Sequence, residues 1–150
     1  MKRLILYALI LAVIWIVPTE RVDVAQLRPV EVIAIYKTGN TVILATDTED
    51  TGEGNSAVEA LSNMRKTSPA IIYLDTAAFL LVGDTAAEEA ETIRKELKSS
   101  VRLCGVSGKV DLNSAAKYLP VHGKLPTLRS WKVGDYLPVL RTENDKLKIS

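Results

Sequence analysis

From Ala70 to Gly83 the chain is apolar at almost every position, interrupted only by Asp75 and Thr76. A surface strand alternates apolar and polar side chains, because one of its faces meets water. A run this apolar belongs instead in a sheet covered on both faces. It reads as one long strand or as two short ones meeting at Asp75-Thr76, and length alone does not choose between them.

The flanking segments supply the rest of such a sheet. Val30 to Lys37 and Thr41 to Thr46 read as strands, and Gly39-Asn40 between them predicts an antiparallel hairpin. A polar, acidic loop is expected over Asp47 to Gly54. Ser56-Ala-Val-Glu59 is a capping box opening a helix whose apolar face carries Ala57, Val58, Ala60, Leu61 and Met64. Pro69 disfavours helical geometry at Ser68, so this helix ends near Thr67. Thr85-Ala-Ala-Glu88 is a second capping box, and Ala86, Ala90, Ile93 and Leu97 form one stripe. Glu88, Glu89 and Glu91 lie early in this helix and Arg94, Lys95 and Lys98 late, as the helix dipole favours. Val101 to Val110 reads as a strand, and Asp111 caps a short helix that stops at Pro120. A last pair of strands, Tyr136 to Arg141 and Lys146 to Ile149, turns at Asn144-Asp145. The order β-β-α-β-α-β-α-β-β predicts an α/β (α+β) domain, a mixed sheet with two to three packed helices.

An N-terminal hydrophobic segment precedes that domain. Lys2 and Arg3 stand before the uncharged run Leu4 to Val17, which Pro18 closes. Cations ahead of such a run keep its start in the cytoplasm and send the rest of the chain outward. As a helix the run covers roughly 21 Å of a hydrocarbon layer about 30 Å thick. Lys2, Arg3, Arg21 and local thinning of the bilayer make up the difference. The small-x-small site of a cleavable signal is missing; Asp23 and Ala25 are the nearest pair. An uncleaved anchor is the expected state, with a removed signal or a segment buried in a soluble fold as alternatives. Residues 1–19 are thus the membrane anchor or signal and 20–150 one extracytoplasmic domain, which is large enough for a core without metal or disulfide support. The expected localisation is a cell membrane crossed once.

The residues that carry chemistry are sparse. Cys104, the only cysteine, excludes an internal disulfide and lies in an apolar strand-like run, where a small buried residue is expected. His122 is the only histidine, and no serine or cysteine nucleophile stands in a recognisable setting beside it. Gly52-x-Gly54-x-x-Ala57 follows a strand and opens a helix as a dinucleotide-binding turn does. Glu49, Asp50 and Glu53, however, crowd the place a pyrophosphate would take. Asp47, Glu49 and Asp50 read as a solvated loop without calcium-loop spacing. No catalytic residue, cofactor, metal or nucleic-acid partner is therefore expected, and the rival reading is a small exported enzyme or cofactor binder using the Gly52–Ala57 loop.

The net charge of +1 conceals an asymmetry. Glu20 to Glu96 holds 14 acidic and 7 basic residues, and Lys98 onward 4 acidic and 10 basic. Lys117, Lys124, Arg129 and Lys132 around Trp131 form a candidate interaction surface for anionic headgroups or an acidic partner. The alternative is a solvated surface whose two signs pair inside the domain.

Gly52-Glu-Gly-Asn-Ser-Ala-Val-Glu-Ala-Leu61, Ser68-Pro69, Ile72-Tyr-Leu and Leu80-Leu-Val-Gly83 together resemble the core of the Ger(x)C family, the C subunits of spore germinant receptors. Tyr136-Leu-Pro-Val-Leu-Arg-Thr-Glu-Asn-Asp-Lys-Leu-Lys-Ile149 is similar to that family's transition out of its first domain. The resemblance spans roughly Val22 to Ile149. The chain departs from the family in having no cysteine just after the apolar run, in carrying Asp75-Thr76 where the strand usually has Gly-His, and in Asp84-Thr85 after the glycine. The resemblance implies a non-enzymatic part of a membrane complex, acting in assembly or signalling through protein partners at the membrane, including the spore inner membrane. A generic membrane-anchored scaffold or sensor domain is the alternative that the same residues leave open.

Overall fold

The computed structural model describes residues 2–16, 27–122 and 124–150. Helix α1 covers Lys2–Ile16 and contains no acidic residue in its first turn and no basic one in its last. Its described side chains at Leu4, Ile5, Leu6, Tyr7, Leu9 and Ile10 are exposed, so they are not packed into the domain's core. The boundary expected near residue 19, and the alternative cleavage region at Asp23 and Ala25, lie outside the described residues.

The domain is built on a seven-stranded sheet in the order β4-β3-β2-β6-β7-β8-β9, where β2 is Val32–Thr38, β3 Thr41–Thr46, β4 Thr51–Gly54, β6 Phe79–Gly83, β7 Arg102–Val106, β8 Val139–Glu143 and β9 Lys146–Ile149. Strands β2, β6, β7 and β8 are mutually parallel, while β3 and β9 run antiparallel to their neighbours. The mixed sheet predicted from the pattern is present. A separate two-stranded parallel pair joins β1 (Leu27–Pro29) to β5 (Ile71–Tyr73).

The apolar run divides as one of its two readings requires. Strand β5 ends in a 3-10 turn over Leu74–Thr76, and β6 comes next. The polar pair at its middle explains the break: the Thr76 hydroxyl accepts from the Val30 amide at 3.1 Å and lies 3.0 Å from the Val30 carbonyl. All five residues of β6 are buried, which fits a central strand covered on both faces.

Side chains of alternate residues sort into two cores. Ile33, Ile35, Leu80, Val82 and Leu103 point to one, under α2 (Ala57–Thr67) and α3 (Ala87–Ile93). Val32, Ala34, Phe79, Leu81 and Cys104 point to the other, under α4 (Leu112–His122).

Several local expectations change in this context. Thr51–Gly54 is not loop but the edge strand β4, antiparallel to β3. A β-carbon at Gly52 would stand 2.2 Å from the Ala60 carbonyl oxygen, and one at Gly54 2.7 Å from the Ala60 amide nitrogen. Both glycines are there because α2 lies directly on the strand. Val58 is exposed rather than on the apolar face of α2, whose buried residues are Ala57, Ala60, Leu61 and Met64. The serine half of the Ser56 capping box forms, its hydroxyl accepting from the Glu59 amide at 3.2 Å, while Glu59 reaches one residue past the cap to accept from the Asn55 amide at 2.7 Å. The Thr85 box does not: its hydroxyl donates to the Lys37 carbonyl at 2.9 Å, and Ala86 occupies the cap position with no side-chain bond. Strand β7 ends at Val106, four residues earlier than expected, because Gly108 turns with a φ of +72°. Helix α4 runs past Pro120 to His122. In the last turn the missing proline amide removes a single helical bond, so the helix survives it.

Candidate functional site

The parallel strands leave a crevice at their carboxyl ends. From Gly83 the chain turns into α3 on one face of the sheet, and from Val106 it passes through Gly108 into α4 on the other. Where consecutive connections diverge in this way the strand ends are uncovered, and α/β sheets bind ligands there. Tyr36, Thr38, Gly83, Asp84, Thr85 and Gly108 line a cavity of about 330 Å³. Tyr36, Thr38 and Gly108 also border a larger groove of about 860 Å³ that continues over Ile43 and Ala45 to Val110, Leu112 and Asn113. That groove exists because α4 covers only part of its face of the sheet. Ile43 and Ala45 on the open side are half-buried, whereas Val42 and Leu44 on the other side are fully buried under α2.

The polar groups around the crevice are largely engaged with one another. Lys37 Nζ lies 3.5 Å from Glu89, and burial raises the Tyr36 phenol above its ordinary pKa. Asp111 caps α4, accepting from the Asn113 and Ser114 amides at 3.3 Å each. The Ser114 hydroxyl, 2.6 Å from it, holds the Asp111 carboxyl below the usual carboxylate range. The arrangement can admit an apolar or aromatic group against Tyr36 and Ile43, with the Tyr36 hydroxyl available to bond it. Its only sequence signal is the run Thr41-Val-Ile-Leu-Ala-Thr46, which is apolar on both faces although one is open.

The Gly52–Ala57 segment keeps its glycines for helix packing, and the first amides of α2 are occupied: Ser56 takes that of Glu59, and Glu89 takes that of Ala57 at 3.0 Å. The acidic turn is not simply solvated. Asp47 accepts from the Glu31 and Val32 amides, tying the turn to β2, and Asp50 is buried against Arg28 at 3.3 Å. Burial raises the Asp50 pKa, but hydrogen bonds from Thr48 and Ser68 and the Arg28 charge outweigh it and hold the carboxyl below its ordinary value. Among the described residues no group of three or more His, Cys, Asp or Glu side chains could hold a metal ion. Cys104 is fully buried and burial pushes its thiol up to about 11. His122 stacks on Tyr118 with ring centroids 4.0 Å apart.

The candidate interaction surface requires one correction. Trp131 is 2% exposed and packs in the core beneath α3 with Leu128, so it cannot meet a partner. A large aromatic ring gains more from burial there than from exposure. Its carbonyl accepts from the Arg94 guanidinium, which also sits 5.9 Å from the ring centre. Lys117, Lys124, Arg129 and Lys132 are exposed. Lys117 stands on α4, whereas Lys124 and Arg129 flank a turn held to the start of β7 by Leu103 donating to Pro126 at 2.8 Å and Leu128 to Val101 at 2.7 Å. No known protein family, curated protein or solved structure matches this chain.

Proposed function

We propose that this is a membrane-anchored, extracytoplasmic, non-enzymatic domain. It works in the assembly or signalling of a membrane complex, as the resemblance to the first domain of a germinant-receptor C subunit implies. The reading rests on α1, whose exposed side chains from Leu4 to Ile10 are apolar and which begins with two cations. Exposed apolar surface of that extent is stable only when something other than water covers it. Among the described residues no helix is long and apolar enough to cross a membrane, so crossing draws on the flanking cations and bilayer thinning.

Carbonate extraction of membranes from the native host tests the anchor: the protein stays in the pellet. A mature N-terminus between Thr19 and Gln26, found by mass spectrometry, sinks it. Confinement of expression to the developing spore, with co-isolation of a germination permease, tests the assignment to a germinant receptor. The carboxyl-end crevice favours a second reading, an anchored sensor domain for a small apolar or aromatic molecule. Saturable binding lost in Tyr36→Ala would support it.

A further inference from the structure

The two ends of the parallel sheet differ in charge and in their relation to α1. Strands β2, β6 and β7 begin in register, with Val32 beside Phe79 and Phe79 beside Arg102. The chain arrives from α1 at this amino-terminal end, through β1. Helices α3 and α4 each come after an ascending strand and so return to the same end. There Arg129 donates its amide to the Ser99 carbonyl at 3.0 Å, and Thr127 bridges Arg102.

Lys95, Lys98, Lys124 and Arg129 are exposed at this end and make no ion pair among the described residues. The helix dipole accounts for cations just after α3, such as Lys95 and Lys98. It does not account for Lys124 and Arg129, which lie outside helices. Of the carboxylates at this end, Glu96 is taken by Arg65 at 3.5 Å, Asp135 accepts from the Lys132 amide at 2.9 Å, and Glu31, Glu49 and Asp75 lie on the β1–β3 side. Val121, in the last turn of α4 and three residues before Lys124, is 75% exposed. The opposite end is mixed: Asp84, Glu88 and Asp145 are exposed there beside exposed Lys109 and Lys146, and Glu143 is paired to Lys148 at 2.9 Å.

We infer that the amino-terminal end of the sheet is a membrane-facing surface, with Lys95, Lys98, Lys124 and Arg129 on anionic lipid headgroups and Val121 toward the interface. This surface rests on the proposed membrane anchor. Leu27 comes eleven residues after Ile16. At most roughly 3.6 Å of reach per residue then keeps β1 within about 40 Å of α1 by any path. That tether lets the end reach the bilayer, and cations that come within a Debye length of an anionic surface, about 8–10 Å, each strengthen association by about fivefold.

The test uses the full chain in vesicles carrying spin-labelled lipid, with a fluorophore on Val121→Cys or on Asn40→Cys at the opposite end; native Cys104 is buried and stays unlabelled. In phosphatidylglycerol-containing vesicles the label at position 121 should be quenched and that at position 40 should not. Joint reversal of Lys95, Lys98, Lys124 and Arg129 to Glu should abolish the difference, while reversal of Lys109 and Lys146 leaves it. Equal quenching at both positions overturns the surface. So does quenching that ignores both the reversal and a change to pure phosphatidylcholine, as expected if these cations serve an acidic protein. Failure of the anchor shows separately, as protein that no longer floats with phosphatidylcholine vesicles. In that event charge-dependent flotation with phosphatidylglycerol vesicles still decides the surface.

Discussion

Glu89 on α3 accepts from the backbone amide of Ala57 at 3.0 Å, so one helix caps the preceding one across 32 positions of sequence. Its other carboxylate oxygen lies 3.5 Å from Lys37 Nζ on β2. Three elements therefore meet at a single side chain. Glu89→Ala should cost about 1–2 kcal/mol, as the loss of an N-cap does. Ser56→Ala should cost about 1 kcal/mol and Thr85→Ala no more, since Thr85 caps nothing. Urea denaturation of the three variants checks the order.

Gly52→Ala should be the most damaging small change in the domain. The added methyl meets the Ala60 carbonyl at 2.2 Å, and neither strand nor helix backbone can yield cheaply. A loss of about 3 kcal/mol is expected, at the upper end of overpacking effects. A Gly52→Ala protein with wild-type stability would remove the packing explanation of the glycine pattern. Nucleotides should leave the thermal midpoint of the native protein unchanged.

Trp131→Ala should cost about 3–5 kcal/mol and Ile93→Ala about 2–5 kcal/mol, because both leave cavities in the core under α3. Lys132→Glu, one residue from the tryptophan but exposed, should stay within about 0.5 kcal/mol of the native protein. Chemical denaturation separates the two classes.

The Asp50 carboxyl has a folded pKa below its ordinary 3.8. Its contribution to stability is thus full above that value and falls away as pH drops through the lower, folded value. Asp50→Asn should lower stability at neutral pH and flatten the acid limb of the melting-temperature profile. An unchanged acid limb would show that the Arg28 pair contributes nothing to it.

Cys104, with a thiol pushed up to about 11, should resist alkylation near neutral pH in the folded protein and react readily in urea. Its folded pKa lies above the ordinary 9.0. The preference for the neutral thiol is therefore present below that value and is lost as pH rises through the folded one. Rapid labelling under native conditions would contradict the burial.

Short-range chemistry was readable from the residues in order. The hairpin at Gly39-Asn40, the Ser56 cap, the end of α2 before Pro69 and the Asn144-Asp145 turn all depend on neighbours within a few positions. So does the buried character of β6, since an apolar run must be covered wherever it goes. What the order of residues could not supply were the partners. Gly52 and Gly54 looked like a loosened loop or a phosphate turn until α2 lay against them, and Thr85 looked like a cap until β2 offered the Lys37 carbonyl. Asp50 looked solvated until Arg28 closed over it, and Trp131 looked like part of a basic surface until the core took it in. The crevice at Tyr36 has almost no local signature, because it arises from two connections leaving adjacent strands toward opposite faces. Local propensity acts over one turn of chain; burial, ion pairing and cavities belong to residues brought together from tens of positions apart, and only the packed sheet decides which those are.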